Sequence, residues 1–165
     1  MLHLYNMRDP SSSLHPAVLA DPQWRIVIVR SVWHGECTQA LVTDAIHRLS
    51  DAGVPSQNIV TIDASGSLEI PLLIQMAITE KHVDGAIAFG VIVQGDTHHA
   101  DMIARESSHA LMSISLRHSV PVINEILYVD ALEDARKRSI GKEGKGALAA
   151  ETLLHALAET QKLRS

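Results

Sequence analysis

From Arg25 onward, short β-branched or continuously apolar runs alternate with stretches whose apolar residues recur every three to four positions. Ile26 to Val32 is the first such run and predicts a strand. A helix is expected over Thr38 to Ala52, with Leu41, Ala45, Ile46 and Leu49 on one face and Gly53 as its stop. Asn58 to Asp63 reads as a second, short strand. The segment GSLEIP then opens a helix with Pro71 in its first turn, where a missing N–H is tolerated, and this helix ends near His82. Ala86 to Val93 is apolar throughout and predicts a strand covered on both faces. A long helix follows from His99 to His118, with Met102, Ile103, Ala110, Leu111 and Ile114 expected to face inward. Val120 to Tyr128 supplies a fourth strand. Two helical pieces close the chain, Ala131 to Arg138 and Ala147 to Lys162, separated by SIGKEGKG.

This alternation predicts an α/β fold: a three-layer α-β-α sandwich around a four-stranded parallel sheet of flavodoxin-like order 2-1-3-4. Residues 1–23 differ in kind. They hold three of the six prolines and a serine triplet without sustained periodicity, which reads as an extended arm preceding a single domain over 24–165.

Composition narrows the function classes. The 165 residues are enough for one domain with a real core, and 46% are hydrophobic. Aromatic residues make up only 3%, so that core must be aliphatic. A net charge of −5 argues against a general nucleic-acid binder, which would show a basic face. The single cysteine, Cys37, excludes an intramolecular disulfide and suits a reducing compartment. No segment is long and apolar enough to span a membrane, and the N-terminus lacks the order of a signal peptide, so a cytoplasmic location is expected.

In a parallel sheet the strand-to-helix turns share one edge, where ligands of open α/β folds bind. Four turns are expected there: Ser31-Val32-Trp33-His34, Ser65-Gly66-Ser67-Leu68-Glu69, Gly95-Asp96-Thr97-His98-His99, and an exit near Asn124. His98 and His99 titrate near neutrality and can relay protons, or can simply cap a helix. Asp96 and Thr97 suit an N-cap and an anion cradle equally. Trp33 can stack on a flat heterocycle or plug the sheet edge. In Arg136-Lys137-Arg138, cations complement a helix C-terminus, and one of them can serve a phosphate. Cys37, beside Glu36, is a poor nucleophile, and no His or Cys spacing suggests a metal site.

GSLEIP, GVIVQGDTHHADMI, VPVINEIL and KGALAAETLL, in this order between about Arg25 and Leu157, resemble the 6,7-dimethyl-8-ribityllumazine synthase family. The resemblance implies condensation of 5-amino-6-ribitylaminouracil with dihydroxybutanone phosphate, releasing phosphate and water, without metal or organic cofactor. It implies His99 as the proton-transfer residue and Asp96, Thr97 and Arg138 as the phosphate site. Trp33, His34, Ser67, Leu68, Glu69, Val91, Ile92, Val93 and Asn124 fall on the pyrimidine and ribityl contacts. It also implies a homo-oligomer built from pentamers, with sites between subunits and an arm able to join a neighbour's sheet; no nucleic acid or membrane partner is expected.

Four positions depart from the family pattern. His34 replaces an asparagine, Gln94 a common arginine, Asn124 a frequent phenylalanine and Leu148 a frequent acid. Three of them, Gln94, Asn124 and Leu148, motivate an alternative, a non-catalytic lumazine or flavin binder on the same scaffold. The intact GDTHH and GSLEIP segments argue against a related archaeal-type riboflavin synthase. The absence of a hydroxyl-rich loop after the first strand argues against a flavodoxin.

Overall fold

A computed structural model describes residues 18–95, 98–141 and 144–164. The strands are β1 (Ile26–Ser31), β2 (Ile59–Ala64), β3 (Gly85–Val93) and β4 (Val122–Val129). Among the described residues the helices are α1 (Gly35–Asp51), α2 (Ile70–Lys81), α3 (His99–His118), α4 (Leu132–Ser139) and α5 (Lys145–Arg164), with a 3-10 turn at Ser56–Asn58. All strand pairs are parallel, in the order β2-β1-β3-β4. The expected α/β sandwich is therefore the observed one, and most boundaries fall within a few residues of those the pattern predicts.

Side chains alternate along each strand, so the sheet feeds two cores. Ile26, Ile28, Ile87, Phe89, Val91, Leu127 and Val129 pack with Leu41 and Leu49 of α1, Ala135 of α4 and Leu153 and Leu154 of α5. Val27, Val29, Ala86 and Ala88 pack on the other face against Ile70 and Ile74 of α2 and Leu111 and Ile114 of α3. Central β1 and β3 are buried on both faces, as parallel strands between two helical layers must be. Phe89 is the one phenylalanine and is fully buried; the rest of the core is almost wholly aliphatic.

One expectation on α3 is corrected. Met102 is half exposed, while Ala100, Ser107, Leu111 and Ile114 form the buried stripe. The inward face is therefore turned toward small residues, because Ser107 is needed against the loop after β2. There its Oγ donates to the Ser67 carbonyl at 3.2 Å.

Most of the proposed arm lies outside the described residues. Its last part is seated on the domain: the Ala20 N–H donates to the Ala52 carbonyl at 2.9 Å, and Asn58 Nδ2 donates to the Pro22 carbonyl at 2.9 Å.

Candidate active site

The sheet order changes direction between β1 and β3: the chain leaves β1 toward β2 on one side and returns to β3 on the other. A crevice opens at such a point. Its depth comes from a length mismatch. The β1–β3 register ends at Arg30 and Phe89, whereas β3 runs on to Val93. Gly90 to Val93 therefore carry no strand partner on the β1 side, although β4 pairs with them through Val129 on the other. Their peptide groups form one wall of the crevice.

The turn after β1 forms the rim. His34 is left-handed (φ 52°, ψ 46°), which folds the chain sharply from β1 into α1, and its carbonyl accepts from the Cys37 and Thr38 N–H groups. Few residues other than glycine accept that conformation, but asparagine and histidine are enriched in it. The replacement of the family's asparagine by His34 therefore has a backbone rationale. The Trp33 N–H donates to Ser31 Oγ at 3.2 Å, while its indole is 68% exposed. Trp33 is thus no core plug; Trp24 plays that part. Cys37 is buried in the core, in keeping with a packing role.

The loop after β2 meets this rim at Gly66. A Cβ on Gly66 would lie 2.9 Å from Glu69 Oε2 and 3.9 Å from Trp33 Cδ1, so the carboxylate and the indole edge converge on one bare backbone position. Glu69 precedes α2 without capping it through its side chain, which leaves the exposed carboxylate available. Ser67 is buried against β3, where a Cβ on Gly90 would stand 2.8 Å from its Oγ. Leu68 is half exposed beside it. Gly66 and Gly90 were not among the expected site residues; a methyl on Gly90 would crowd the buried Ser67 hydroxyl and Ile126, whereas one on Gly66 would ask only the exposed end of Glu69 to shift.

At the end of β3, Val91 and Ile92 are buried and Val93 is half buried, so their side chains serve packing and mainly their backbone faces the crevice. The Gln94 N–H continues the ladder to the Val129 carbonyl at 2.8 Å, and the Tyr128 hydroxyl bonds to Gln94 Oε1. His98 and His99 are exposed at the start of α3. Asp96 and Thr97 lie outside the described residues.

Asn124 and Arg138 stand apart from this group. Asn124 was expected at a strand exit, but it is the third residue of β4, level with Ala88, and the exit comes after Val129. It lies on the free edge strand, where Nδ2 donates to Ser108 Oγ at 2.9 Å and Oδ1 accepts from the Ile126 N–H at 3.1 Å. Arg138 lies in the last turn of α4, which packs in the α1/α5 layer, whereas His99 opens a helix of the α2/α3 layer. One chain thus gathers Trp33, His34, Ser67, Leu68, Glu69, the end of β3 and His99 along its carboxyl rim, and leaves Asn124 and Arg138 elsewhere.

The basic run resolves into unequal members. Arg136 pairs with Glu36 at 3.5 Å and Glu133 at 3.7 Å, and Lys137 with Asp134 at 3.6 Å. Arg138 has no carboxylate within ion-pair distance among the described residues. Near it, half-buried Glu125 projects from β4. Burial pushes its carboxyl above the usual range, and the charges of Lys145 and Arg138 pull it partly back. Sequence reading missed Glu125, although an acid inside the mostly apolar VINEILYV is the kind of signal that flags such a residue.

No described helix is long and apolar enough to cross a membrane. The family profile for 6,7-dimethyl-8-ribityllumazine synthase matches residues 23–161. Proteins bearing that name are similar over most of the chain: one from Xylella fastidiosa (strain M12) is 38% identical over 134 residues, covering 81% of this chain and 85% of its own. One from Cytophaga hutchinsonii is 37% identical, covering 81% and 84%. Another from Xanthomonas campestris pv. campestris (strain B100) is 36% identical over 137 residues, covering 81% and 89%. With profile, relatives and fold in agreement, the chain belongs to the 6,7-dimethyl-8-ribityllumazine synthase family.

Proposed function

We propose that this chain condenses 5-amino-6-ribitylaminouracil with dihydroxybutanone phosphate to 6,7-dimethyl-8-ribityllumazine, releasing phosphate and water. The observation that carries this reading is the Trp33–Gly66–Glu69 convergence beside the unpartnered end of β3. An exposed indole offers a stacking face to the planar uracil. The peptide groups of Gly90 to Val93 match its ring donors and acceptors, and the Glu69 carboxylate accepts from the ribityl hydroxyls.

His99 stands at the same rim with a side chain suited to moving protons at neutral pH. In this reading it assists condensation of the amine with the ketone and the proton transfers that let phosphate depart. Asp96 and Thr97 hold the phosphate-bearing substrate, and the Arg138 guanidinium binds its phosphate. Holding two substrates in register supplies much of the rate.

Because Arg138 belongs to the opposite layer from His99, the reading requires Arg138 of a second copy to complete each site. A ring of five chains joined head to tail would provide that repeat, with Asn124 of the free edge strand facing the neighbour's pyrimidine pocket. The reaction requires only small-molecule substrates and is placed in the cytoplasm.

Purified protein incubated with both substrates should release inorganic phosphate and form a green-fluorescent lumazine faster than the uncatalysed mixture. Quenching of Trp33 fluorescence by a lumazine or flavin without turnover would instead support a binding protein on the same scaffold, and would overturn the catalytic reading.

A further inference from the structure

We propose that the Arg30–Asp63 ion pair is a positioning device that sets the spacing between the Trp33 turn and the Gly66–Glu69 loop, and so how the indole is presented to the planar pyrimidine. The inference rests on the reading of Trp33 as the residue that stacks on that ring and extends it to two residues that the reading does not use.

Arg30 and Asp63 are register partners on the neighbouring parallel strands β1 and β2. Each stands three residues before its rim position, Arg30 before Trp33 and Asp63 before Gly66. The guanidinium holds the carboxylate with two bonds, Nε to Oδ1 at 2.8 Å and Nη2 to Oδ2 at 3.3 Å. Such a fork fixes direction as well as distance, which a lysine ammonium does not. The last register pair, Ser31 with Ala64, follows directly, and beyond it the indole edge and the Glu69 carboxylate converge on Gly66.

A second line of bonds runs from Arg30 into the Trp33 turn. Nη1 donates to Thr38 Oγ1 at 3.5 Å, and the Thr38 hydroxyl donates in turn to the Ser31 carbonyl at 2.9 Å. Ser31 Oγ accepts the Trp33 N–H at 3.2 Å, and the Val32 N–H donates to the Ala64 carbonyl of β2 at 2.9 Å. Ser31 and Thr38 are fully buried, so water cannot take over these bonds. One guanidinium thereby ties together β2, the start of α1 and the strand end that carries Trp33.

Stability alone gives little reason for a charge at this place. Arg30 continues the Ile26 and Ile28 face that packs on α1, and its side chain is only 17% exposed, against 54% for Asp63. Attraction to a half-solvated acid barely offsets the desolvation of the guanidinium, and an apolar residue would serve packing there as well. What the pair adds is a fixed distance between two strand ends. β2 is an edge strand, paired only with β1 among the described strands, so its exit loop has no other sheet neighbour to hold it.

The test compares wild type with Arg30→Met, Arg30→Lys, Asp63→Asn and Trp33→Ala, measuring KM for each substrate and, by fluorescence titration, the dissociation constant of 6,7-dimethyl-8-ribityllumazine. Asp63→Asn keeps the shape of an exposed side chain, so it retains the fold whatever Arg30→Met does. Arg30→Met and Asp63→Asn should each raise the KM for the pyrimidine and the dissociation constant of the lumazine about five-fold. The KM for the phosphate-bearing substrate should hold within about two-fold. Arg30→Lys, which keeps the charge without the fork, should recover part of the loss. The double variant Arg30→Met with Asp63→Asn should be no worse than either single one, because both remove the same interaction.

Unchanged pyrimidine KM and lumazine affinity in Arg30→Met and Asp63→Asn, with Trp33→Ala weakened, would overturn the role of the pair. An equal rise in both KM values would overturn it too, since that marks general loosening rather than a displaced indole. Trp33→Ala binding the lumazine as wild type does would instead remove the reading on which the proposal rests.

Discussion

At the scale of single residues, conformation and exposure distinguish the proposed site positions from packing positions. His34 accepts a left-handed backbone and Trp33 leaves its ring in water, two local sacrifices at consecutive positions of one turn. Trp24, chemically identical to Trp33, is buried. Their different fates come from place in the fold, which is why the sequence could name Trp33 as a candidate without separating stacking from plugging. Glu125 makes a third sacrifice, and it has a thermodynamic signature. Its carboxyl is raised by burial from a reference of 4.5, so the folded state holds its proton more tightly than the unfolded chain does. Native protein therefore binds more protons than unfolded protein just above that reference, and this group's contribution to stability is complete below the unfolded pKa. It is lost as pH rises through the folded one. Glu125→Gln removes that loss. Thermal unfolding should accordingly show the variant gaining on wild type as pH rises above the reference value of 4.5. A wild-type advantage that grows over the same range would contradict the assigned environment.

At the scale of elements, hydrophobic periodicity carries most of the architecture. β3 is legible because a strand covered on both faces must be apolar throughout, and the bounds of α3 because its repeat runs without interruption from His99 to His118. What periodicity misses is contact between elements. It put Met102 inward because it counts hydrophobicity, not space, and the space is set by Ser67 and Ser107. It set Asn124 near an exit because it cannot locate a residue along an edge strand. It also gave no role to Gly146, where α5 touches the α1 backbone. Gly146→Ala forces a methyl into the 2.2 Å approach to the Leu41 carbonyl oxygen, and no side-chain rotation relieves it. Denaturant unfolding should show a loss of roughly 3 kcal/mol, toward the upper range for overpacking. Gly35→Ala, with open space around its Cβ at the start of α1, should be neutral or slightly stabilising. Equal effects at the two glycines would mean that the α1–α5 contact is looser than described.

At the scale of the whole molecule, the motifs and the fold point the same way, but they meet across a gap. GSLEIP and the β3 segment come together at one crevice within a chain, and this much follows from strand order alone. The basic run does not join them, because α4 lies in the other helical layer. No periodicity within one chain reports on a neighbour, so the sequence could rank Arg138 and His99 as partners only through its family resemblance. The central claim is therefore that two copies share each site, one supplying His99 and the other Arg138. It is tested most directly by co-expressing His99→Ala with Arg138→Ala and assaying the mixed assemblies for lumazine formation. Each variant alone should be slow. If sites lie between copies, random mixing restores both wild-type groups at about one site in four, and activity should approach that fraction of wild type. A mixture no more active than the average of its two components would contradict a shared site.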